Sequence, residues 1–152
     1  MKKVLLFLLV VVVAISCKKE NRIERNLWKK DGEWNIKSWT ETSTSSQYPE
    51  DNYSETYVNF GTFKFNKDGS GSMTYNDGNS AYAEQITYEN TENSLTIFDS
   101  DGDGTIFDMT WEKNEMTLSL KESETYTSYD PNTGEQVVVN YTYDVSIDCE
   151  KK

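Results

Sequence analysis

Residues 94–111 read SLTIFDSDGDGTIFDMTW, and two architectures compete for them. The centre looks like the front half of a helix–loop–helix calcium site. Asp99, Asp101 and Asp103 would take positions one, three and five, and Gly104 position six. Position twelve is then Thr110, where such a loop needs a bidentate glutamate. The flanks also fail, because apolar residues alternate with polar ones on both sides, which is the period of a strand and not of a helix. Setting Ile97 opposite Phe107 and Leu95 opposite Met109 places four apolar side chains on one face. The aspartates then form the tip of a hairpin, where Gly102 or Gly104 can adopt a left-handed turn. Asp99, Asp101 and Asp103 remain candidates for weak calcium binding only. The register that sets Leu95 opposite Asp108 would mix the faces.

The same rhythm runs outward in both directions. Turn clusters at 66–71, 76–80, 89–93, 99–104, 112–115 and 130–135 separate segments rich in Thr, Tyr, Val, Ile, Phe and Trp. Eight strands are expected, over about 33–41, 53–65, 72–76, 81–88, 94–98, 105–111, 116–129 and 136–149. Each has one apolar and one polar face, with Trp34 and Ile36 on the inner face of the first and Phe107, Met109 and Trp111 on that of the sixth. Val139, Tyr141, Tyr143, Val145 and Ile147 share the inner face of the last. That suits an all-β, antiparallel, up-and-down meander that closes on itself. Trp39 falls on the opposite phase from Trp34 and is expected to matter far less to stability. In the second strand Val58 and Phe60 are in step, then Phe63 and Phe65, so a bulge is expected at Gly61. The polar stretch 42–52, with Pro49, is expected to be a long loop, able to hang over one end as a lid.

The N-terminus follows a different logic. Lys2 and Lys3 precede an unbroken apolar run of twelve residues, Val4 to Ile15, and then Ser16-Cys17. As a helix the run spans about 18 Å, short of the ~30 Å hydrocarbon core, so it reads as a secretion signal. The ending resembles a bacterial lipobox, in which the cysteine is acylated. Residues 1–16 are therefore expected to be a lipoprotein signal peptide, residues 17–30 a lipidated Cys17 and tether, and residues 31–152 a single barrel domain. Lipid on Cys17 leaves Cys149 unpaired, on the apolar phase of the last strand, where a cysteine acts as a small core residue.

Charge bounds the partners. Without residues 1–16, 13 basic and 26 acidic residues remain. Residues 18–37 hold seven basic and four acidic side chains, so the stem is cationic and the body strongly acidic. A cationic stem beside a lipid anchor can rest on anionic head groups or simply stay solvated. The acidic body excludes nucleic acid as a partner. The chain has no histidine, which removes Ser-His and Cys-His nucleophile pairs and His-ligated metals. It also carries no phosphate-binding glycine loop. No cofactor is implied, and an enzyme is not expected.

Gly32-Glu33-Trp34 forms a "GxW" with an apolar alternate at Ile36. With GTFKFNKDGSGSMTY (61–75), ENSLTIF (92–98), the eight-strand meander and the N-terminal anchor, the chain resembles the lipocalin-like lipoproteins of Bacteroidota. The resemblance covers about residues 28–149. It implies a lipocalin-like barrel with Trp34 plugging its closed end. It also implies an arginine late in the barrel against that tryptophan, yet the last arginine is Arg25, so this lock is expected to be absent.

Two functions follow. One is a monomeric lipoprotein anchored by its N-terminal lipid in the outer membrane, on the periplasmic face or the cell surface, whose barrel binds a small apolar or amphipathic ligand. The other is a surface protein that binds glycan or protein through exposed aromatics and its acidic face, using Trp39, Tyr48, Tyr53, Tyr57, Tyr126 and Tyr129 at polar or loop positions. A barrel filled by Trp34, Phe63, Phe107, Met109, Trp111 and Tyr143 would argue against the first.

Overall fold

Alternating side chains form strands, and strands with one apolar face must bury it together. A computed structural model of the protein describes residues 25–76 and 80–152. The expected signal peptide, Cys17 and most of the expected tether lie outside the described residues. Eight antiparallel strands close into a barrel in sequence order: β1 (Glu33–Ser45), β2 (Tyr53–Phe65), β3 (Ser70–Asn76), β4 (Ala81–Asn90), β5 (Ser94–Phe98), β6 (Gly104–Glu112), β7 (Glu115–Tyr129) and β8 (Gln136–Lys151). Closure pairs β1 with β8, so neither is left as an edge.

The hairpin of residues 94–111 forms in a register two residues from the expected one. Leu95 faces Phe107 and Ile97 faces Thr105. The apolar phase is kept because the slip is even. The tip is a closed turn: Asp99 N donates to Asp103 O (3.1 Å), and the Asp99 carboxylate accepts from the backbone N–H of Asp101 and of Asp103, each at 2.9 Å. That five-residue tip sets Phe98 opposite Gly104, where a larger residue would collide with the Phe98 ring.

Strand length divides the barrel. β1 and β2 have 13 residues each, β7 has 15 and β8 has 16. These four are consecutive neighbours, β7-β8-β1-β2, so one wall stands taller than the other. At the closed end the interior is filled by Trp34, Phe63, Phe65, Leu95, Phe107, Met109, Met116 and Ile147, all buried. Leu27, in the helical turn 25–28 and read from the sequence as tether, is buried in the same core.

Three expectations fail on the tall wall. β8 runs without interruption and gauges the inner face, because Val139, Val145, Ile147 and Cys149 along it are all buried. Against it the β1 register slips between Ile36 and Ser38. Lys37 is the extra residue, so beyond it the inner phase of β1 moves from even to odd numbers. Trp39 then pairs with Ile147 and faces inward, contrary to the sequence reading. β2 slips at the same level, near Gly61 as expected, with Asn59 in the left-handed region (φ 52°). The side chain it turns outward is Val58, 72% exposed, while Phe60 packs on the core. Finally, residues 42–45 belong to β1, so the loop shrinks to 46–52 and is tied down. Ser46 exchanges hydrogen bonds with Asn140, and Ser45 N donates to Asn52 Oδ1 at 2.6 Å. It is an anchored turn and not a hanging lid.

Candidate functional site

The paired bulges decide what lines the open end. Following the β1–β2 and β1–β8 registers past Lys37, the inner face carries Trp39 beside Tyr57, Glu41 beside Glu55, and Ser43 beside Tyr53. On the other side β8 contributes Tyr143 and Tyr141, paired with Glu122 and Glu124 of β7, and Tyr126 pairs with the buried Val139. Four of the six aromatics read from the sequence as scattered surface residues therefore converge: Trp39, Tyr53, Tyr57 and Tyr126. Tyr48 stays in the loop, and Tyr129 lies on the opposite phase of β7, exposed.

A row of rings crosses four strands. Trp39 lies 5.4 Å from Phe60, Phe60 stacks on Tyr75 at 5.4 Å, and Tyr75 stacks on Tyr82 at 5.1 Å, with Tyr57 flanking Phe60 at 5.2 Å. Gly61 makes the approach possible. It faces Tyr75, and a Cβ there would sit 1.9 Å from the Thr74 carbonyl oxygen, so only glycine lets β2 and β3 come this close. Tyr57 and Tyr82 remain exposed and Trp39, Phe60 and Tyr75 half-buried. A cavity of about 370 Å³ is lined by Phe60, Tyr75 and Tyr82 together with Asn59, Gly61, Thr74, Asn76, Ala81 and Ala83.

Carboxylates flank the row. Trp39 Nε1 donates to Glu41 Oε1 at 2.7 Å, and the Tyr57 hydroxyl donates to Glu55. Burial, reinforced by the negative charge of Glu41, pushes the Tyr143 phenol up to about 12. The Tyr57 phenol is also raised, chiefly by its bond to Glu55. These phenols thus stay protonated as donors to the carboxylates. Glu41 and Glu55 stand directly opposite each other, an arrangement that repels. The ion pairs among the described residues (Lys37–Glu150, Lys121–Asp144 and Lys152–Glu33) all lie elsewhere. Apolar ring faces beside hydrogen-bond acceptors can hold a molecule with an apolar face and a donor-bearing edge.

The remaining candidates sort differently. Trp34, Phe107 and Met109 are core, and Trp111 and Tyr143 half-buried extensions of it. Trp34 Nε1 donates to Leu27 O at 2.9 Å, and Trp111 meets its ring edge-on at 4.8 Å. Asp99, Asp101 and Asp103 form the hairpin tip, with the Asp99 carboxylate engaged by its own turn. Among the described residues no group of three or more acidic or sulfur ligands is placed to hold a metal. Cys149 is free and buried. Sequence reasoning missed Glu41, Glu55, Phe60, Tyr75 and Tyr82. A single signal could have found the first: the run Trp39-Thr40-Glu41-Thr42-Ser43 alternates, but on the phase opposite to Trp34.

Residues 31–118 match the family model described as a lipocalin-like domain. Comparison with curated proteins and with solved structures returned no match.

Proposed function

The chain belongs to the lipocalin-like domain family, and we propose that it holds one small amphipathic molecule at the open end of its barrel. The observation that carries this reading is the half-exposed ring row Trp39–Phe60–Tyr75–Tyr82 with Glu41 and Glu55 beside it. The closed half of the barrel is filled by side chains, so the ligand lies against the row and not deep in the interior. Its apolar face covers the rings, and its donor groups meet the carboxylates. A glycan is the second reading, favoured by the same row, because sugar rings stack on exposed tyrosines and their hydroxyls bond to carboxylates.

In this reading the protein is a lipoprotein of the Bacteroidota type, held through acylated Cys17 on the outer membrane as a monomer. The apolar run Val4–Ile15 ending at Cys17 supports it. Native mass spectrometry of the protein released from its own host tests the ligand. A retained small molecule, lost in Trp39→Ala/Tyr75→Ala, is expected. Binding of oligosaccharides alone would favour the second reading. Cys17→Ala should abolish fatty-acid labelling and release the protein from membranes, and unchanged labelling would end the lipoprotein reading.

A further inference from the structure

At the closed end one groove gathers lysines. Lys29 and Lys30 belong to the stem, but the fold brings Lys64 and Lys67 from the β2–β3 hairpin beside them. The four lysines line one groove of about 660 Å³ whose apolar wall is Trp28. Lys67 Nζ lies 5.6 Å from the centre of the Trp28 ring. Two carboxylates also line the groove, Asp31 and Glu33, and Glu33 is already paired with Lys152 at 3.1 Å. Lys151, from the end of β8, lies near them, and burial, then Lys30 and Lys29, disfavours its charged form. In a chain with net charge −11, cations from three distant segments gather at one end.

We propose that this end is a docking face for anionic phospholipid head groups, which seats the barrel upright with its open end pointing away from the membrane. Two observations choose this occupant. The described chain begins at Arg25, three residues before the groove-lining Trp28, so the 24 preceding residues, with their apolar run and Lys18, Lys19 and Arg22, join the chain beside this groove. The half-buried Trp28 supplies the amphipathic ring that suits the head-group layer. The face is distinct from the ligand row, because β1 starts at the groove with Glu33 and reaches the row only at Trp39.

Quenching of tryptophan emission by brominated lipid tests this on the full-length protein. On phosphatidylcholine vesicles containing about a quarter phosphatidylglycerol, quenching that disappears in Trp28→Phe is expected. It should be absent on phosphatidylcholine alone and weaken as salt is added. Lys64→Glu/Lys67→Glu should lower partitioning of a Cys17→Ala chain by at least about twentyfold, each lysine near an anionic surface contributing about a factor of five. Lys121→Glu, on the outer wall, should change nothing. The Cys17→Ala chain also separates this inference from the anchoring reading, since it loses the lipid but keeps every docking lysine. Quenching indifferent to lipid charge or to the double reversal would overturn the proposal. So would release by inorganic phosphate where chloride of equal ionic strength fails, because that marks a discrete phosphate site and not a membrane face.

Discussion

Lys151 Nζ lies 4.7 Å from the centre of the Trp34 ring and donates a hydrogen bond to the Asn26 carbonyl. The cation expected of an arginine late in the barrel is thus supplied by a lysine at the very end of β8, where the sequence shows no arginine. Trp34 is fully buried, and Trp34→Ala should cost about 3–5 kcal/mol in urea denaturation.

The lysine itself gives a pH signature. Burial, with Lys30 and Lys29 adding to it, brings Lys151 down from 10.5 to about 8. The folded state therefore loses this proton before the unfolded state does. The penalty of holding the ammonium there is fully present below pH 8 and is relieved as pH rises toward 10.5. Stability should gain a rising contribution across that window, and Lys151→Met should remove it. A chain and its Lys151→Met variant with parallel stability profiles from pH 7 to about 10.5 would refute the assignment.

Gly32, the first residue of "GxW", has φ 67°, and a Cβ there would lie 2.0 Å from the Phe65 carbonyl oxygen. Gly32→Ala meets both strain and collision. It should cost more than about 2 kcal/mol by the same denaturation assay, although the substitution is a single methyl.

Trp39→Ala should cost about 2–3 kcal/mol, between an exposed and a fully buried tryptophan, since the indole packs on Phe60 and donates to Glu41. A loss near zero would mean that Trp39 faces solvent and that the Lys37 bulge is misplaced. Trp39→Phe should keep most of the stability while weakening whatever the ring row binds.

Cys149 is 2% exposed, and burial, helped by the Asp148 charge, pushes its thiol up to about 12. At pH 8 it should react with a disulfide reagent no faster than the barrel unfolds, and at once in denaturant. Rapid reaction of the native protein would show that the closed end breathes.

How far each feature was legible depends on the range of the interaction that decides it. Strand identity and order follow from local alternation and turn residues, so the eight-strand closed meander could be read directly, and β5 (Ser94–Phe98) sits where its residues place it. Trp34 as core and Cys149 as an inward small residue follow from the same period, because Trp34 precedes the β1 bulge and β8 itself runs without one. The ring row could not be read, because one extra residue at Lys37 reverses every side chain beyond it. That bulge exists only where β1 must pair with β2 and β8 together. The register of the 94–111 hairpin escaped for a related reason: an even slip preserves the faces, so turn geometry and the fit of Phe98 over Gly104 made the choice. The gathering of Lys64, Lys67 and Lys151 around the stem likewise required closure, which brings residues more than eighty positions apart into one field. The sequence by itself determined the period and so the barrel. Only the tertiary structure, through bulges and closure, decided which aromatics face inward and where the charges meet.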